Sequence, residues 1–129
     1  MIIRAQVKFS AQGTAFTPSQ ANIPYSAFHD PGAVGDCGKY KDLPIPYGSA
    51  DFDAPEEEQD KIRYLYLLVR PHLSVLKELG AESFSLHISY YADSGVIAYS
   101  ASELKMIAEL ECDIPIDLYI QNNILQKCY

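Results

Sequence analysis

One stretch, residues 56–91, constrains the fold more than any other part of the chain. From residue 62 to residue 79, apolar side chains recur every three or four positions, which places them on one face of a helix. Gly80 then offers the left-handed conformation that ends many helices, and residues 83–91 change to strict alternation of apolar and polar side chains. The stretch therefore predicts an amphipathic helix followed by a strand with one buried face and one polar face.

Two features set the limits of this predicted helix. Three glutamates, Glu56, Glu57 and Glu58, follow Pro55, and acidic side chains in a first turn complement the helix dipole, so we expect the helix to begin there. Pro71 lies inside the pattern, where it removes a backbone hydrogen bond and costs about 3 kcal/mol in a straight helix. We expect a kink at residues 69–71 or two helices, and the continuous apolar stripe favours the kink.

Other strands are predicted by shorter alternating patterns. Residues 3–10 alternate, and their outward charges indicate a strand at or near an edge of the sheet. Residues 47–52 can form a second strand, and residues 96–99 can return as a hairpin partner of the strand at 83–91. Residues 114–120 alternate again, and Pro115 requires a strand start or an edge position.

A second helix is predicted after the long strand. Ser100 and Glu103 have the spacing of a capping box, which opens a helix. Its inward side is expected to carry Leu104, Ile107, Ala108 and Leu110.

Half-polar strands and one-sided helices together predict the fold class. Both kinds of element can bury their apolar sides in an α+β two-layer sandwich, in which helices cover one face of a mainly antiparallel sheet. The predicted element order is β, β, α, β, β, α, β, which is similar to ferredoxin-like folds. A chain of 129 residues fits one such domain. The uncovered face is expected to present Arg4, Lys8, His87, Tyr91, Asp117 and Tyr119.

Charge and composition narrow the possible partners. Seventeen acidic against ten basic residues give a net charge of −7, which weighs against nucleic acid and acidic membranes and favours a basic protein partner. No apolar run approaches the roughly 20 residues of a membrane span, and the first residues lack a basic leader, so we expect a cytoplasmic protein. The three cysteines form no Cys-x-x-Cys pair and indicate reduced thiols.

A segment rich in glycine and proline, residues 25–48, has no periodicity. Long loops of this kind are often functional. His29, Asp30 and Cys37 lie in it, but their irregular spacing is poor evidence for a metal site. Its glycines lack the flanking strand, helix and lysine of a phosphate loop. A cysteine nucleophile would need a base, either His29 or His87, and no orienting partner is visible, so we assign no catalytic residue, metal or cofactor.

The run from residue 51 to residue 60 contains six acidic residues and no basic one. The helix dipole explains the glutamates but not the aspartates, so a docking patch for a cationic partner competes with a solvated helix start. Tyrosine, with ten copies, supplies apolar area with a polar tip and is favoured at interfaces. The candidate partner-binding residues are Asp51, Asp53, Glu56, Glu57, Glu58, Asp60, Tyr91, Asp117 and Tyr119.

Several of these segments together resemble a known family. The alternating first strand, the glycine- and proline-rich middle, the helix interrupted at Arg70-Pro71, the helix opening at residues 98–104 and the last strand, Ile116-Asp117-Leu118-Tyr119, are similar to the small bacterial family called domain of unknown function 4279. The resemblance spans most of the chain and implies no catalytic residue. In size and charge the chain is also similar to immunity proteins of bacterial toxin systems.

Three hypotheses for function follow. The leading one is a non-enzymatic, bacterial, cytoplasmic binding protein, an immunity protein that neutralises a toxin such as a cationic nuclease by occluding it, as a monomer or weak dimer. The second is a small hydrolase or ligand-binding enzyme built on residues 25–48. The third is a structural module that dimerises through an exposed strand edge.

Overall fold

The computed structural model describes residues 1–120, which form a five-stranded sheet and three short helices. The strands are β1 (Ile2–Gly13), β2 (Ala27–His29), β3 (Gly48–Asp53), β4 (Ser83–Ala92) and β5 (Ile116–Ile120). The helices are α1 (Lys61–Val69), α2 (Leu73–Glu78) and α3 (Ala101–Glu109). The sheet order is β2-β3-β1-β4-β5, and only the β4–β5 pairing is parallel. The predicted α+β class with a mainly antiparallel sheet is confirmed.

The helices cover one face of the sheet and leave the other uncovered. Alternate residues of β1, β3 and β4 point towards the helices and share one apolar core with them. Because each large apolar side chain contributes about 1.5–3 kcal/mol when fully buried, this layer holds the sandwich together. The core residues of the sheet include Val7, Phe9, Phe52, Leu86 and Ile88, and those of the helices include Ile62, Leu65, Val69, Leu73, Leu76 and Ile107.

The first strand lies at the centre of the sheet, so the prediction that it lies at or near an edge is wrong. β1 pairs with β3 on one side and with β4 on the other. Lys8 is directly opposite both Asp53 and His87, and its side chain is exposed. The outward charges of β1 therefore mark an uncovered face of the sheet and not an edge.

The helix begins later than predicted, at Lys61. Asp60 caps it, because its side chain accepts the Arg63 amide at 3.2 Å. The glutamates precede the helix in a turn, in which the Glu58 amide donates to the Pro55 carbonyl at 3.1 Å. Their negative charges therefore do not occupy the first helical turn.

The interruption at Pro71 is confirmed. A single 3-10 turn, Arg70–His72, separates α1 from α2. Val69 and Leu73, on either side of this turn, are both buried. The apolar stripe therefore stays directed at the sheet across the break, as its phase in the sequence predicts.

Two expectations for the second half of the chain need correction. Residues 96–99 form no strand, because β1 and β5 already occupy both edges of β4. The element order is therefore β, β, β, α, α, β, α, β. The capping box of α3 is present, and Ile107 and Leu110 are buried, but Leu104 and Ala108 face outward. No helix in the described residues is both long and apolar enough to cross a bilayer.

Candidate functional site

The uncovered face of the sheet contains a groove of about 490 Å³. Four strands and the segment after β3 contribute its walls, and most of the contributing side chains are charged, polar or aromatic. We call this groove and the side chains around it the open face. The open face includes Lys8, Asp53, Glu56, His87, Tyr91, Asp117 and Tyr119, which line the groove, and Arg4 beside them.

A row of ionisable side chains crosses the open face. Lys8 of β1 lies between Asp53 of β3 and His87 of β4. His87 Nε2 in turn lies 2.5 Å from Asp117 Oδ2 on β5. The nitrogen-bearing side chains occupy the middle of the row, and carboxylates occupy both ends. Because these side chains are exposed or only half-buried, such pairs add little to the stability of the fold.

A second row, which we call the aromatic ladder, consists of Arg4, Tyr91 and Tyr119. The Arg4 guanidinium carbon is 4.8 Å from the centre of the Tyr91 ring, and the Tyr91 and Tyr119 rings stack at 4.9 Å with 14° between their planes. Arg4 Nε also pairs with Glu56 Oε1 at 3.2 Å. The Tyr91 hydroxyl donates to Gln6 Oε1 at 3.3 Å. These contacts therefore hold two aromatic rings and one guanidinium in a row on the uncovered face of the sheet.

The structure brings some candidate partner-binding residues together and separates others. Asp53, Glu56, Tyr91, Asp117 and Tyr119 all line the groove.

The remaining acidic candidates have other surroundings. Asp51 lies on the same side of the sheet as the groove, where its side chain accepts a hydrogen bond from the Ser10 hydroxyl at 2.7 Å. Glu58 accepts the Asp60 amide at 3.2 Å, and Asp60 caps α1, so these two side chains serve the local backbone. Glu57 is exposed and does not line the groove. The acidic run is therefore divided between the open face and the start of α1.

The partner-binding set chosen from the sequence missed His87, which lines the groove, and three side chains of the first strand. Lys8 and Gln6 line the groove, and Arg4 belongs to the ladder. Their alternation along the first strand was a sufficient signal for their place on the open face. The contacts of Arg4 and Gln6 with Tyr91, and the position of Lys8 opposite Asp53, depend on strand register, which the sequence does not reveal.

The glycine- and proline-rich segment, residues 25–48, contains the edge strand β2 and continues as an ordered loop, which we call the excursion. After β2, the Gly32 amide donates to the Ile45 carbonyl at 2.7 Å, and the Asp42 amide donates to the Gly35 carbonyl at 2.8 Å. These cross-connections bring the two sides of the excursion together.

The reactive groups proposed for an enzyme are not assembled there. His29 Nδ1 lies 3.3 Å from the Asp30 carbonyl oxygen, and His87 pairs with Asp117. Among residues 1–120, no hydrogen bond joins Cys37 to a histidine, and no group of three or more histidine, cysteine, aspartate or glutamate side chains is arranged to hold a metal ion. This geometry gives the loop-based enzyme hypothesis no support.

The two cysteines in the described residues differ in their surroundings. Cys37 is exposed, whereas burial and the neighbouring Asp113 charge raise the pKa of the Cys112 thiol to about 11. Since only the thiolate reacts, a rise from an ordinary value near 9 lowers the reactive fraction at pH 8 about 100-fold. Cys128 lies outside the described residues.

We therefore expect iodoacetamide to modify Cys37 well before Cys112. Below pH 10 the labelling rate of Cys112 should rise about tenfold per pH unit, because the thiolate fraction grows by that factor below the pKa. Peptide mass spectrometry of samples quenched between pH 7 and 10 measures both rates in one digest. A Cys112 rate that levels off near pH 9 would contradict the expectation.

Comparison of the chain with protein-family models, with curated proteins and with solved structures found no match. The resemblance to the domain of unknown function 4279 family stays a prediction.

Proposed function

We propose that this chain is a non-catalytic binding protein that uses its open face to occlude a basic protein, as immunity proteins of bacterial toxin systems do. The observation that supports this most directly is the placement of Asp53, Glu56 and Asp117 around one groove with the ring of Tyr119. Carboxylates beside an exposed aromatic ring can pair with a partner's cations and cover apolar area in one contact.

The shape of the site favours a protein partner over a small molecule. Small-molecule sites enclose most of their ligand and have mainly apolar walls with few polar groups. This groove is open along a sheet face, and its walls carry five side chains that can be charged, those of Lys8, Asp53, Glu56, His87 and Asp117. Protein interfaces instead spread over about 800 Å² on each partner and are enriched in tyrosine.

The charge of the site favours a basic partner. The whole chain has a net charge of −7, which accelerates encounter with a cationic surface. Within the groove, Lys8 lies opposite Asp53, so part of the negative charge is locally balanced. We expect the partner surface to carry mostly cations and a few carboxylates. This arrangement of charges would fix the position and orientation of the partner on the open face.

Affinity capture with a matched variant tests the proposal. The chain is immobilised in parallel with a variant in which Asp53 and Glu56 are changed to lysine, and both are exposed to a lysate of the native host. A basic protein retained only by the unchanged chain is then expressed alone and together with it. The proposal expects growth arrest from the captured protein alone and normal growth when this chain is present.

Two outcomes would contradict the proposal. One is the retention of no protein by the unchanged chain beyond those that the variant retains. The other is a captured protein whose effect on growth this chain does not change. A molar mass measured by light scattering at two concentrations detects self-association, which would favour the structural-module hypothesis.

A further inference from the structure

We infer that the partner places an arginine against the outer face of the Tyr119 ring and pairs it with Asp117; this inference rests on the proposed function. The chain contains its own example of such a contact. Arg4 lies 4.8 Å from the centre of the Tyr91 ring and 3.2 Å from a carboxylate oxygen of Glu56. One guanidinium on this surface is therefore held by a ring and a carboxylate together.

The aromatic ladder leaves a second position of the same kind at its other end. Arg4 on β1 and Tyr119 on β5 contact Tyr91 from opposite sides, because β1 and β5 flank β4. In the described sheet β5 is the last strand, so the second face of the Tyr119 ring is directed away from β4. Tyr119 is 48% exposed, which leaves area for a stacked group.

Strand β5 also carries a carboxylate on the same side as Tyr119. Asp117 precedes Tyr119 by two residues on the same strand, so both side chains project from the same side of the sheet. Asp117 Oδ2 contacts His87 Nε2, and among residues 1–120 no hydrogen bond to its Oδ1 is present. Tyr119 and Asp117 thus supply, on one side of β5, the same two kinds of group that Tyr91 and Glu56 provide for Arg4.

The geometry selects arginine over lysine. A guanidinium is planar, stacks on an aromatic face and donates through a rigid fork, whereas an ammonium is a compact, strongly hydrated charge. At an exposed site the interaction of a cation with an aromatic ring is worth a factor of about 2 to 5 in affinity. An additional hydrogen bond from the fork to Asp117 increases the difference between the two cations.

Two capped tetrapeptides of equal charge, tetra-arginine and tetra-lysine, serve as probes in calorimetric titrations of the whole chain. We expect tetra-arginine to bind about two- to fivefold tighter, because the stacked fork gains more from the ring and from Asp117 than an ammonium does. Tyr119→Leu should remove this preference, and Tyr119→Phe should keep it, because the ring and not the hydroxyl carries the contact. Asp117→Asn should weaken tetra-arginine binding more than Asp36→Asn, the matched change at an exposed carboxylate in the excursion.

Equal binding of the two peptides would overturn the inference, and so would an arginine preference that survives Tyr119→Leu. Circular dichroism of each variant separates loss of the site from loss of the fold, and the phenylalanine variant keeps the test valid if the leucine variant unfolds. If the peptides are not distinguished but a basic protein still binds the open face, this inference fails alone. If arginine is preferred but no inhibited partner exists, the proposed function fails and the arginine site remains.

Discussion

Replacement of Phe9 by alanine is expected to lower the free energy of unfolding by about 3–5 kcal/mol. Phe9 is fully buried in the central strand, and its ring centre lies 5.8 Å from that of Phe84 and 6.1 Å from that of Phe52. Removal of the ring leaves a cavity in the core on the covered face of the sheet, and the hydrogen-bonded strands cannot move inwards to fill it. Because domains of this size are stable by only about 5–15 kcal/mol, the variant should be near its folding limit.

Urea denaturation followed by circular dichroism measures this change, and Phe28→Ala is the matched control. Phe28 is 53% exposed on the edge strand β2 and makes a tilted contact with Tyr25. Its removal should cost less than half as much, because little apolar area returns to water. Equal losses at the two positions would show that the core is not organised around β1.

The double substitution Asp53→Lys and Glu56→Lys is expected to reduce the affinity for the captured basic partner at least about 100-fold, or about 2.7 kcal/mol. Both side chains line the groove, and each change replaces an attraction with a like-charge contact. The association rate should fall as well, because steering depends on the field of the whole face. Surface plasmon resonance at two salt concentrations separates the rate effect from the contact effect.

The variant Asp36→Lys and Glu78→Lys is the control for net charge. It changes the total charge by the same amount, at exposed positions in the excursion and on α2 that do not line the groove. Its affinity should fall less than about fivefold, mainly through slower association. If this control variant loses as much affinity as the open-face variant, binding depends only on the overall charge of the chain and not on the open face.

Local patterns in the sequence predicted individual elements well, because each depends on residues close together along the chain. The alternation at residues 83–91 and the capping box at Ser100 are both present. The start of α1 was placed wrongly because an acidic cap and an acidic first turn are similar in sequence. Only the hydrogen bond from the Arg63 amide to Asp60 distinguishes them.

Strand order could not be predicted in the same way. The central position of β1 and the parallel pairing of β5 depend on contacts between distant segments, which periodicity does not encode. The same limit applies to the site. Alternation correctly placed Arg4, Tyr91 and Tyr119 on the uncovered face, but their stacking follows from a register across three strands.

The central position of β1 also has a consequence for how the protein reaches its native state. The hydrogen bond between Gln6 and Tyr91 joins residues 85 positions apart, and the pairing of β1 with β4 is the largest contact in the sheet. Closing so long a segment is entropically costly and slows folding. Until β4 is in place, one side of β1 offers unpaired amide and carbonyl groups to other chains. Newly made protein should therefore be most prone to aggregation in the interval before β4 joins the sheet.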